Sequence, residues 1–133
     1  MQILLDTDIM IDVIRQFTPA LSWLSSLAQT TIVLPGYVVL ELLQGCQNKS
    51  QQIVVQQTLT QCRIIWPTEA ACNNATTMFA QYHLSHNLGF IDALIAQTAI
   101  EHALPLHTFN QKHYSFITNL TTTQPYRKDF LLS

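Results

Sequence analysis

The segment MQILLDTDIMIDVIRQ (residues 1–16) decides how the chain is read. Ile3, Leu4 and Leu5 make a short apolar run, and Asp6, Asp8 and Asp12 stand directly behind it. A brief continuous run without alternation reads as a strand buried on both faces, QILLD (2–6). An acid at the end of such a strand is costly unless something there uses it. Asp6 can cap the helix that follows, but Asp8 is the expected cap, and Asp12 reads as a solvated helix residue within reach of Arg15.

Working outward, TTIVLP (30–35), RIIWP (63–67) and LPLHTF (104–109) read as further short strands, and FIT (116–118) as the remnant of another. Between them run segments of helical spacing. Thr18 offers an N-cap before Pro19, with Ala20, Leu21, Leu24, Leu27 and Ala28 on one face. Val39, Leu42, Leu43 and Cys46 form a second stripe, and Ser50 opens a glutamine-rich helix to about Thr60. Ala71, Ala75, Met78, Phe79 and Tyr82 mark a long helix ended by NLG (87–89). Ile91, Leu94, Ile95, Thr98 and Ala99 mark another over 90–103. Strands alternating with helices predict an α/β fold whose mostly parallel sheet of four to five short strands is covered on both faces. Ligands bind such sheets outside the carboxyl ends of the strands, where Asp6 and the TFN segment (108–110) fall.

The 133 residues fit one domain, 1–133, with no linker or repeat. Charged residues are 11% of the chain against the ~25% of ordinary soluble domains, so some surface is expected to be hidden in a partner or a second copy. A net charge of −2 gives no basic sheath for nucleic acid, though it leaves room for a local patch. The apolar runs fall short of the ~18 residues of a membrane span, and the first residues lack a secretory leader pattern. Cys46, Cys62 and Cys72 are odd in number without CxxC spacing, so a reduced, cytoplasmic protein is expected.

Three further polar residues stand where a plain core would not want them. Glu41 lies at the edge of the apolar stripe in YVVLELLQG (37–45), Asp92 in the first turn of an apolar helix, and Asn110 behind the fourth strand. Lysine and arginine total six, mostly in segments that read as loops or ends, so few are available to balance these acids. A bound divalent cation reconciles several carboxylates with so little positive charge, and oxygen ligands suit Mg²⁺ or Mn²⁺ better than zinc. The five histidines lack ligand spacing. Each acid taken alone also has a plainer reading: Asp6 a cap, Glu41 an edge residue reaching water, Asp92 a helix-dipole acid, Asn110 a turn former.

LLDTDIMID (4–12), VVLELLQG (38–45) and GFIDALIAQTAIEHALPLHTFNQKHY (89–114) together resemble the PIN-domain ribonucleases, specifically the VapC-type toxins of toxin–antitoxin pairs. The resemblance spans nearly the whole chain and implies a three-layer α/β/α domain with an acidic cleft for Mg²⁺ or Mn²⁺. Carried across, Asp6, Glu41 and Asp92 match the metal-holding acids. Asn110 matches a fourth position, acidic in many relatives. Asp8 falls where the family more often has Asn. Thr7 and Thr108 are hydrogen bonders near the metal, and Lys112 and Arg15 candidate phosphate contacts; Arg127 and Lys128 are further basic candidates. The implied activity is endonucleolytic hydrolysis of RNA, leaving a 5′-phosphate and a 3′-hydroxyl. The implied partners are a cognate antitoxin and a second copy in a homodimer.

Two rivals stay open on sequence alone. The DxD opening also fits haloacid-dehalogenase-like phosphatases, with Asp6 as nucleophile, but the paired acids that family needs after a later strand are missing. An inactive PIN-like module that only binds RNA or protein is the other.

Overall fold

A computed structural model describes residues 1–128. Its centre is a five-stranded parallel sheet in the order β3-β2-β1-β4-β5, built from β1 (Gln2–Leu5), β2 (Thr31–Pro35), β3 (Arg63–Ile65), β4 (Leu106–His107) and β5 (Thr122–Thr123). Leu4 pairs with Val33 on one side and Leu106 on the other, so β1 is the middle strand, and Leu4 and Leu5 are fully buried. That burial explains the unbroken apolar run: neither face of the strand meets water. The strands are all parallel, but their order reverses between β1 and β4, and the carboxyl ends of two such strands are where sheets of this kind place a ligand.

Among the described residues seven helices complete the three-layer α/β/α domain: α1 (Thr7–Ile14), α2 (Thr18–Ser25), α3 (Gly36–Gln44), α4 (Lys49–Leu59), α5 (Glu69–His86), α6 (Phe90–His102) and α7 (Gln111–Tyr114). The longest two, α5 and α6, pack along each other. Asn87 takes the left-handed conformation (φ 55°) that ends α5, a backbone state asparagine tolerates. In α6, Ala93, Ile95, Ala96, Thr98 and Ala99 are all buried.

Several expectations are corrected. FIT (116–118) lies in turns, and the fifth strand is instead Thr122–Thr123, two polar residues with no apolar signal to announce them. The fourth strand shrinks from 104–109 to Leu106–His107. Phe17, not Thr18, is the N-cap of α2, and that helix stops at Ser25, before Leu27 and Ala28. Asn48, rather than Ser50, caps α4, its side chain accepting from the Gln51 N–H at 2.9 Å. The tail QPYRKDF (124–130) is described only through Lys128; Asp129 and Phe130 lie outside the described residues. No helix among the described residues is long and apolar enough to cross a membrane.

Candidate active site

Asp6 follows the central strand directly and caps α1: its Oδ1 accepts from the Thr7 N–H at 2.8 Å. Its Oδ2 accepts from the Thr108 hydroxyl at 2.9 Å and the Tyr114 hydroxyl at 3.0 Å. The structural and functional readings of Asp6 therefore coincide in one side chain. Asp6 is 5% exposed, and burial, followed by the negative charge of Asp8, pushes its carboxyl up to about 6 against the pull of those three hydrogen bonds.

Asp92, in the first turn of α6, reaches the same place from another layer. Its Oδ1 stands 3.2 Å from the Tyr114 hydroxyl. One hydroxyl proton cannot be donated to both acids at once, so two carboxylates converge on a donor that satisfies one of them. Burial raises the Asp92 carboxyl too, opposed by Tyr114 and by His113 nearby. Tyr114 itself is held well above its ordinary value, chiefly by burial and then by the two acids it faces.

Glu41 joins indirectly. The Thr7 hydroxyl donates to its Oε1 at 2.6 Å, tying α3 to the corner where β1 becomes α1. Thr108 is fully buried; besides donating to Asp6, its oxygen accepts from the Asn110 N–H at 3.0 Å.

Asp8 is not the cap. Its Oδ2 accepts from the Phe109 N–H at 2.9 Å and lies 3.4 Å from Asn110 Nδ2, so it braces the segment after β4. Its Oδ1 is buried without a hydrogen-bond partner among the described residues, and burial raises this carboxyl as well. The exposed Asn110 side chain thus leans toward Asp8. Asp12 is not a solvated partner of Arg15: it accepts from the Tyr126 hydroxyl at 2.7 Å and pairs with Lys128 at 3.3 Å. Lys128 is thereby committed, and it also lies 4.4 Å from the centre of the Phe109 ring. Lys112 is exposed on α7, and the exposed Arg15 lines a groove that Glu41 also reaches.

Among the described residues no group of three or more His, Cys, Asp and Glu side chains is drawn close enough to enclose an ion. Among the same residues no lysine or arginine forms an ion pair with Asp6, Glu41 or Asp92. Two carboxylates around one hydroxyl, with a third one threonine away, fit a hard cation held by few protein ligands and several waters.

Tyr114 is the residue that sequence reasoning missed. Its position in NQKHY (110–114), one helical turn past Asn110, reads as an ordinary core aromatic. The phosphatase alternative loses its geometry here, because Asp6 and Asp8 do not face one reacting atom: Asp8 turns away to the Phe109 N–H.

Comparison with known proteins agrees with this architecture. The family model for the PIN domain matches residues 3–116. Ribonuclease VapC10 of Mycobacterium tuberculosis is 31% identical over 119 residues, covering 89% of this chain and 90% of the relative. Among solved structures, VapBC2 from Rickettsia felis, bound to a DNA fragment from their promoter, aligns with a TM-score of 0.78 at 26% identity, covering 92% of this chain and 98% of that one. A toxin–antitoxin complex from Klebsiella pneumoniae aligns with a TM-score of 0.73 at 25% identity, covering 94% and 98%. Fold, order of acids and sequence likeness converge: the chain belongs to the PIN-domain family and, within it, to the VapC-type ribonucleases.

Proposed function

We propose that this chain is an endoribonuclease that hydrolyses RNA phosphodiester bonds with Mg²⁺ or Mn²⁺ held by Asp6, Asp92 and Glu41, and that it is the toxin of a toxin–antitoxin pair. PIN ribonucleases are metal-dependent as a family. The observation that carries the reading is the convergence of Asp6 and Asp92 on one hydroxyl, with no lysine or arginine paired to either acid among the described residues. Holding two such carboxylates together is unfavourable unless a cation enters.

A divalent cation bound there lowers the pKa of water and offsets charge that builds on the phosphoryl oxygens. The chain supplies the orientation. Three hydrogen bonds fix Asp6, so it need not reorganise when substrate arrives. Glu41 is steered by Thr7, which leaves its other oxygen to direct a water or a ligand. Asn110 carries a neutral amide and can position a phosphate or ribose but cannot take a proton. Lys112 and Arg15, both exposed, are the proposed phosphate contacts. Single-stranded RNA, whose backbone can bend into a crevice, is the proposed substrate form.

The partner is proposed to be a cognate antitoxin, since solved relatives at 25% and 26% identity are toxin–antitoxin assemblies. A groove of about 580 Å³ supports this: Ile11, Ile14, Leu42 and Val54 line it together with Glu41. A homodimer is proposed from the exposed Leu40, Trp66 and Phe90. The proposed place of action is the cytoplasm.

The test is cleavage of labelled single-stranded RNA by the purified chain in Mg²⁺ or in EDTA, with Asp6→Asn and Asp92→Asn alongside. Cleavage should need the cation, leave 5′-phosphate ends, and fall at least ~100-fold in either variant. Undiminished cleavage in EDTA and in both variants overturns the proposal.

A further inference from the structure

The hydroxyl of Tyr114 decides which oxygens the two converging acids have left to offer. Asp6 Oδ2 receives two donors, Thr108 at 2.9 Å and Tyr114 at 3.0 Å, and Oδ1 receives the Thr7 N–H at 2.8 Å. A carboxylate has roughly four lone-pair positions, so the one remaining on Asp6 lies on Oδ1. On Asp92 the hydroxyl faces Oδ1 and leaves Oδ2 open.

A phenylalanine would fill the same core volume, for the Tyr114 side chain is 2% exposed. The hydroxyl adds a polar atom to that interior, which is unfavourable unless bonded, and its partners are two acids that stand 108 and 22 residues away in sequence. It therefore links the strand layer to a helix layer at the point where the acids meet.

We propose that Tyr114 is a positioning residue for the divalent cation: its hydroxyl holds Asp6 and Asp92 at a fixed separation and turns Asp6 Oδ1 and Asp92 Oδ2 toward the ion. This rests on the metal-dependent reading above. Residues that orient metal ligands typically change metal affinity by about 10–100-fold when removed.

The experiment is calorimetric titration of the cation-free full chain with Mn²⁺, comparing the native protein with Tyr114→Phe, whose fold is checked by circular dichroism. Tyr114→Phe should bind Mn²⁺ about 10–100-fold more weakly with an unchanged spectrum. If the native protein takes up no Mn²⁺, the metal-dependent reading falls and this inference with it. If the native protein binds and Tyr114→Phe binds as tightly or more tightly, only this inference falls. A second measurement needs no variant at position 114. With tyrosine labelled at the ¹³Cζ position, the Tyr114 signal, identified by Phe replacements at Tyr37, Tyr82 and Tyr126, should shift as Mg²⁺ saturates the site. A signal that stays fixed at saturation overturns the proposal even if Tyr114→Phe does not fold.

Discussion

Thr7 donates its hydroxyl to Glu41 across 34 residues of sequence, at 2.6 Å, and so couples α3 to the end of the central strand. Its backbone N–H donates to the capping Asp6 side chain at the same time. One residue thereby sets the relation between two of the proposed metal-holding acids.

Thr7→Val keeps the shape and the backbone N–H but removes the hydroxyl. Stability should fall by about 1–2 kcal/mol, the worth of one hydrogen bond to a partly exposed carboxylate. RNA cleavage should fall about 10–100-fold, because Glu41 loses its orientation. Denaturant titration and cleavage rates measured side by side separate the two effects; equal cleavage by both proteins would contradict the role given to Thr7.

Acidity should govern cation binding. Asp6 has its carboxyl raised from 3.8 to about 6, so the folded chain holds this proton more tightly than the unfolded one. Its contribution therefore favours the fold below about pH 4 and is lost as pH rises through about 6, on the order of 3 kcal/mol in all. A cation needs the ionised form, so the gain in Tm from Mg²⁺ should be small near pH 5 and full above about pH 7. Asp8→Asn removes a like charge beside Asp6, and the midpoint of that gain should move to lower pH. A Mg²⁺ effect independent of pH would refute the assignment.

Gly36 stands where β2 gives way to α3, and a Cβ there would overlap the indole ring of Trp66. Gly36→Ala should destabilise the fold by about 1–3 kcal/mol, at the low end because Trp66 is half-exposed and can swing outward. In the Trp66→Ala background the same change should cost almost nothing. Urea unfolding of the four proteins measures the coupling, and purely additive effects would disprove the contact as its source.

Tyr126 and Lys128 fasten the last described residues onto α1 through Asp12. Removing the hydroxyl in Tyr126→Phe should cost about 1–2 kcal/mol, as expected for a hydrogen bond to a charged acceptor. The local consequence is more telling. Limited proteolysis should cut the segment after Leu120 faster in Tyr126→Phe than in the native chain, and unchanged cutting would count against the fastening.

Burial on both faces made β1 and β2 legible, whereas the edge strand β3 showed only through its pair of isoleucines, of which Ile65 is buried and Ile64 exposed. β5 was hidden since Thr122 and Thr123 carry no apolar mark, and its pairing with Leu106 and His107 is imposed by the sheet. The acids were visible as residues out of place, but their bonding was not. Asp6 and Asp8 are both plausible caps by spacing, and what separates them is contact with Thr108, Phe109 and Tyr114, about a hundred positions away. Tyr114 was invisible for the same reason: a buried ring needs no explanation, and a hydroxyl reveals its purpose only through its partners.

Those long separations also govern when the acidic corner can assemble during synthesis. Asp6 emerges from the ribosome early, but Thr108 and Tyr114, which hold it, come 102 and 108 residues later. The edge strand β5 follows later still. A growing chain thus lacks the two hydroxyls that fix Asp6 Oδ2 until more than a hundred further residues have been made, so the acidic corner is completed late however early its first acid appears.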